Sequence, residues 1–168
     1  TLQESFGEVS GLTLSYIGDG NNVAHSLMVC GALLGVNVRV GCPLGFEPLP
    51  DVLSKAQALA VDGASIQITN DPVEAVKGAH AVYTDVWASM GQEEEKDLRD
   101  KAFKNFCLDR KLFSSASSDA IILHCLPAHR EEEISDELME SSSSRIFDQA
   151  ENRLYVQQAL LAALLGGL

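Results

Sequence analysis

Short apolar runs alternate with longer amphipathic stretches along this chain, and each run ends in polar residues or glycine. Leu12-Thr-Leu-Ser-Tyr-Ile17, Val36-Asn-Val-Arg-Val40, Ser65-Ile-Gln-Ile-Thr69, the segment 80–85 and the segment 120–124 read as strands of a buried sheet. Between them, Val23, Leu27, Cys30, Leu33 and Leu34 recur on one face of a helix over 22–34 that Gly35 ends. A second helix follows over 51–61. A third opens at Asp71, with Asp71 as cap, Pro72 in the first turn and Glu74 completing a capping box. The segment 92–101 reads as a solvated helix with Glu-to-Lys pairings three and four apart. Further on, the pattern predicts a helix over 131–140, a short strand Arg145-Ile-Phe147 and a last helix from about 151 that Gly166-Gly167 stops. The first eleven residues read as the tail of a helix and a loop. Alternating strands and helices without an internal repeat predict an α/β fold, a doubly wound, Rossmann-like parallel sheet in a single domain over 1–168.

Three strand-to-helix junctions carry unusual chemistry. The first strand runs into Gly18-Asp-Gly-Asn-Asn22, the fourth into Asp85-Val-Trp-Ala-Ser-Met-Gly91, and the fifth into His124-Cys-Leu-Pro127, where proline bars a central strand from continuing. Ligands of open α/β sheets sit outside the carboxyl ends of the strands, so Asn22, Asp85, Ser89 and Cys125 converge on one rim. A dinucleotide is not the expected ligand: Val23 stands where G-x-G-x-x-G needs its third glycine, and no carboxylate ends the second strand. Asn22 is either an ordinary helix cap or an amide donor to a substrate carboxylate. Asp85 could cap its own turn, and Cys125 could be a core thiol. A Cys-His nucleophile from Cys125 and His124 is opposed by strand alternation, which turns neighbours to opposite faces. A metal site at Cys125 and His129 lacks a further ligand. Arg153 near Glu151 reads as a surface ion pair, and Trp87 as packing.

Composition narrows the classes. At 168 residues with 46% hydrophobic and 21% charged residues, the chain can bury one real core. Its net charge is −12 and its basic residues are scattered, so nucleic acid is not an expected partner. The acidic surface mainly confers solubility and more weakly favours a cationic small substrate. Cysteines at 30, 42, 107 and 125 form no C-x-x-C pair, which suits a reducing compartment. The apolar stretch Leu154 to Leu165 is too short to cross a bilayer, so no membrane partner is expected, and no secretory signal is visible.

Four segments in order, Gly18-Asp-Gly-Asn-Asn22, Asp85-Val-Trp-Ala-Ser-Met-Gly-Gln92, His124-Cys-Leu-Pro127 and Ala150-Glu-Asn-Arg153, resemble the ornithine carbamoyltransferase family. The likeness covers nearly all of this chain but only the second half of that family's enzymes. The family's Ser-Thr-Arg-Thr-Arg phosphate loop and His-Pro-x-Gln segment have no counterpart here. The resemblance implies an ornithine-binding domain, with the N-terminal carbamoyl-phosphate domain absent. It implies a transferase that moves the carbamoyl group of carbamoyl phosphate to the side-chain amine of L-ornithine, giving citrulline and phosphate for arginine biosynthesis. No cofactor and no metal are expected. The complete enzyme would be a homotrimer of the cytoplasm, or of an organellar matrix in a eukaryotic source, and this chain alone would be inactive.

By the same resemblance Asn22, Asp85, Ser89 and Met90 bind ornithine, with Asp85 and Ser89 on its α-amino group and Met90 contributing backbone. Cys125 lies beside the side-chain amine, the Leu126 carbonyl accepts from the carbamoyl NH2, and Arg153 contacts a carbamoyl phosphate oxygen, where a guanidinium steadies developing charge. Asp85, Cys125 and Arg153 form the expected catalytic set. Aspartate carbamoyltransferase lacks the His-Cys-Leu-Pro and Ser-Met-Gly pair, and acetylornithine and putrescine enzymes depart at the Ser-Met-Gly loop. The competing readings are a non-catalytic amino-acid-binding or interaction module and a related carbamoyltransferase with another amine substrate. One departure stands out: the family usually has glycine after the arginine of His-Cys-Leu-Pro-x-x-Arg, where this chain has Glu131.

Overall fold

The computed structural model describes residues 1–88 and 93–166. After a short helix α1 (Leu2–Phe6), five strands β1 (Thr13–Ile17), β2 (Asn37–Gly41), β3 (Ile66–Thr69), β4 (Ala81–Thr84) and β5 (Ile121–His124) form one sheet in the order β3-β2-β1-β4-β5. Every pair is parallel, with Tyr16 level with Tyr83 and Tyr83 level with Leu123. The chain winds outward from β1 through α2 (Asn22–Leu33) to β2 and through α3 (Pro50–Leu59) to β3. It then returns through α4 (Pro72–Val76) to pair β4 with the other side of β1. The winding therefore reverses between β1 and β4, which opens a crevice beyond their carboxyl ends.

Strand alternation distributes side chains between two cores. Leu14, Tyr16, Val38, Val40, Tyr83 and Leu123 face Ala24, Met28 and Ala32 of α2. Ile17, Val82 and Ile122 face the opposite layer, built from Ala75 and Val76 of α4, Phe103 of α5 (Lys96–Phe103), Leu112 of α6 (Arg110–Phe113) and Leu138 of α7 (Asp136–Met139). Near-continuous burial along β1, β4 and β5 is what a sheet covered on both faces requires.

Several boundaries differ from the sequence expectation, each for a local reason. Asp71 caps α4 as expected, accepting from the Val73 and Glu74 N–H groups. Glu74, however, accepts from the Thr69 hydroxyl at 2.6 Å, and that hydroxyl accepts from the Asp71 N–H at 3.2 Å, so the capping box closes through threonine. The helix expected over 131–140 shrinks to α7, because Glu131 adopts φ 66° and turns the chain. That left-handed conformation is one that glycine adopts without strain. Here the Glu131 carboxylate accepts from the Asp136 N–H at 2.7 Å and holds the turn. Ser135 then caps α7.

The expected strand Arg145-Ile-Phe147 is absent. A single bridge joins Ile122 to Ser144, and α8 (Ile146–Leu164) begins five residues before the expected start at 151. Ile146 and Phe147 look strand-like in sequence, but Ile146 is the buried first residue of the helix and Phe147 is exposed. Of the segment 92–101, Gln92 lies outside the described residues and α5 starts at Lys96. Lys96 and Asp100 pair at 3.7 Å on its outer face, whereas Arg99 is buried, which a fully solvated helix would not show.

Gly20, in the turn after β1, meets another backbone. Its N–H bonds the Phe46 carbonyl at 2.8 Å, and a Cβ there would stand 2.2 Å from the Pro48 nitrogen and 2.4 Å from the Glu47 carbonyl carbon. Gly20→Ala therefore forces two main chains apart and is expected to cost about 1–3 kcal/mol. Urea unfolding followed by circular dichroism measures this, and an unchanged midpoint would contradict the close approach.

Candidate active site

The turns after β1, β4 and β5 meet at the mouth of the crevice. Asp85 follows β4 and is 6% exposed. Its Oδ2 accepts from Asn21 Nδ2 at 3.3 Å, and its Oδ1 accepts from the Val86 N–H at 2.8 Å and from the Cys125 thiol at 3.0 Å. All these donors are neutral, so the carboxylate is oriented without a cationic partner among them. Such a group attracts a cation far more strongly in a partly desolvated crevice than on an open surface. At the gap itself the Thr84 hydroxyl donates to the Ile17 carbonyl at 2.9 Å, which satisfies a buried acceptor that the sheet leaves over.

Alternation separates the two residues of the His-Cys pair. His124 is buried in the opposite layer with Glu133, its Nε2 3.1 Å from the Glu133 carboxylate, and its Nδ1 accepts from the Leu126 N–H at 2.8 Å. Nδ1 is therefore the acceptor, and the ring proton lies on Nε2 toward Glu133. Cys125 belongs to the first core, beside Tyr83 and Asp85. Burial first, and then the hydrogen bond to Asp85 and its negative charge, push the Cys125 thiol up to about 12. A thiol that keeps its proton is a donor to Asp85 and a poor nucleophile. Burial likewise drives the Tyr16 and Tyr83 hydroxyls upward, Tyr16 aided by Asp85 and Asp19, and Tyr83 by Cys125.

The helix cap at β1 is Asn21, whose side-chain oxygen accepts from the Val23 and Ala24 N–H groups while its amide faces Asp85. Asn22 is the exposed first residue of α2. Sequence reasoning weighed only Asn22 for this turn and missed Asn21; the tandem asparagines were the available signal. It also missed Arg99. That guanidinium donates to Asp19 at 2.7 Å, to the Trp87 carbonyl at 2.8 Å and to Glu95 at 3.0 Å, and lies 5.1 Å from the centre of the Phe46 ring. It joins the turn after β1 to both sides of residues 89–92. Trp87 packs on Phe103 at 5.9 Å.

Ser89 and Met90 lie outside the described residues. Leu126 follows Cys125 with φ 57°, and its carbonyl accepts no hydrogen bond among the described residues. Arg153 is exposed on α8, one turn beyond Gln149. The structure thus brings Asp85, Cys125 and the Asn21-Asn22 turn together. Arg153 stands on a separate element. Among the described residues, His129, Glu132 and Glu133 have ligand atoms within 4.8 Å of one another, without Cys125. Lys96 already holds Glu132 at 2.9 Å, and Glu133 already accepts from the His129 N–H at 2.6 Å. A cleft of about 730 Å³ between α1 and α8, lined in part by Glu4, Phe6, Asp119 and Arg145, contains none of the Asp85 group.

The geometry has close relatives. The Asp/Orn binding domain of aspartate/ornithine carbamoyltransferase matches residues 10–164. This chain belongs to that family. An ornithine carbamoyltransferase of Parasynechococcus marenigrum is 70% identical over the whole chain, which spans 53% of that protein. Solved ornithine carbamoyltransferase structures from Pyrococcus furiosus and Gloeobacter violaceus are 48% and 49% identical, with TM-scores of 0.94 and 0.89. They are matched over 99% and 97% of this chain and 54% of theirs. The chain therefore spans about half the length of the relatives it matches.

Because folding holds the Cys125 proton, this group's contribution to stability is full below the ordinary thiol pKa of about 8.5 and is lost as pH rises toward the folded value. Iodoacetamide at pH 8 is expected to label exposed Cys30 and to spare Cys125 until the fold is denatured. Peptide mass mapping reads both sites. Comparable labelling of the two in the folded protein would mean that Cys125 carries an accessible thiolate.

Proposed function

We propose that this chain is the ornithine-binding half of an ornithine carbamoyltransferase, transferring the carbamoyl group of carbamoyl phosphate to the side-chain amine of L-ornithine. The observation that carries the reading is the nearly buried Asp85 carboxylate at the switch point of the sheet, oriented by Asn21, Val86 and Cys125 without a cation among them. It suits an ammonium group. Asp85 and Ser89 hold the α-amino group of ornithine, Asn22 offers its amide to the carboxylate, and Met90 contributes backbone. The Leu126 carbonyl, which accepts no hydrogen bond among the described residues, accepts from the carbamoyl NH2, and Arg153 contacts an oxygen of carbamoyl phosphate and steadies charge there.

The ornithine side-chain amine resembles that of lysine, with an unperturbed pKa of about 10.4, and must lose a proton before it attacks. Cys125 keeps its own proton at neutral pH, so its part is to orient Asp85 and to line the amine's path. Most of the rate comes from holding two substrates in line across the interface of two halves. The second half supplies the phosphate anchors. Its docking is favoured by α8, which buries only Ile146 and exposes Leu154, Val156, Leu160, Leu161 and Leu164. The complete protein would act as a homotrimer in the cytoplasm, or in an organellar matrix if its source is eukaryotic; no described helix is long and apolar enough to cross a membrane.

Residues 1–168 alone are expected to make no citrulline, and joining a carbamoyl-phosphate half to them should give turnover. In the joined protein, Asp85→Asn should lower kcat/KM for ornithine by about a hundredfold, at about 1.4 kcal/mol per factor of ten. Carbamoyl phosphate binding, read by calorimetry without ornithine, should barely change. Equal losses for both ligands would make Asp85 a scaffold residue.

A further inference from the structure

α8 carries Arg153, yet little fixes the rotation of that helix. Ile146 is its only buried residue, and beyond it Asn152 reaches Thr1 Oγ1 at 2.9 Å. The Arg145 N–H at the helix cap donates to the Ile122 carbonyl of β5 at 2.9 Å, and Gln149 makes the side-chain contacts to the sheet. Its Oε1 accepts from the His124 N–H at 3.0 Å, and its Nε2 donates to the Tyr83 hydroxyl at 3.1 Å. The orientation of this amide is not arbitrary: the His124 N–H is a donor, so the oxygen must face it and the nitrogen must face tyrosine. Tyr83 thereby receives a hydrogen bond, and Cys125 lies beside it and donates on to Asp85. One side chain thus grips the ends of β4 and β5 on either side of the residues that lead to the crevice.

Gln149 and Arg153 are four residues apart and share one face of the helix. We infer that Gln149 is a positioning residue, which sets the rotation of α8 so that Arg153 stands over the strand ends carrying Cys125. This rests on the carbamoyltransferase reading, in which Arg153 contacts carbamoyl phosphate. The sequence offered no sign of it, because a half-exposed glutamine in a helix is ordinary.

A double-mutant cycle in the protein carrying both halves tests the inference. Gln149→Met keeps the length of the side chain and loses both hydrogen bonds. It is expected to raise KM for carbamoyl phosphate by about tenfold, the scale of losing its two orienting hydrogen bonds together. In an Arg153→Ala background the same change should matter by less than about twofold, since its effect passes through Arg153. Gln149→Glu retains the acceptor for His124 and should stay within about twofold of the parent. A tenfold defect in Gln149→Glu, an equal Gln149→Met effect in both backgrounds, or a lowered Tm with KM unchanged would overturn the inference and leave the site reading intact. An Arg153→Ala protein with normal KM for carbamoyl phosphate would overturn the site reading, and this inference with it.

Discussion

Parallel pairing of β1 with β4 is the constraint on which the site depends. The chain reaches β4 only after winding out to β3, so the turns that follow β1 and β4 leave the sheet in opposite directions and cannot cover the gap between them. Asp19, Asn21 and Asp85 lie at that gap because their strands end level, with Ile17 opposite Thr84. Cys125 joins them because β5 pairs in register beside β4, with Thr84 opposite His124. A slip of one residue in that last pair would turn His124 toward the crevice and Cys125 toward Glu133.

Two carboxylates at the mouth are treated differently. Asp19 is neutralised by the buried guanidinium of Arg99, which also bonds Trp87 and Glu95, so its charge is spent on holding the turn after β1 against the flanks of residues 89–92. Removing one member of such a pair exposes the cost of burying the other, which is why the pair serves geometry. Asp85, in contrast, is held by uncharged donors and keeps a charge to offer. The division of labour between these two acids fixes the shape of the crevice and leaves one carboxylate held by neutral donors.

Much of this was legible in sequence. Apolar runs located all five strands, and the polar residues that follow them marked the rim, because a parallel sheet buried on both faces requires continuous apolar strands and leaves chemistry to the turns. Strand alternation correctly separated His124 from Cys125. Local readings failed where tertiary contacts decide. Ile146 and Phe147 have strand-like side chains, but burial of Ile146 beneath β5 starts a helix. Glu131 turns the chain through a conformation that its residue type does not advertise. Arg99 and Gln149 find their partners 80 and 25 residues away, at Asp19 and His124, distances that no periodicity can reveal.

The central claim is that ornithine enters at the switch point between β1 and β4. Hydrogen–deuterium exchange in the protein carrying both halves, saturated with carbamoyl phosphate and compared with and without L-ornithine, tests it most directly. The account predicts added protection in the peptides spanning residues 19–24 and 84–93, with α1 and its cleft unchanged. Protection confined to the cleft between α1 and α8, or none at the two turns at saturating ornithine, would contradict it.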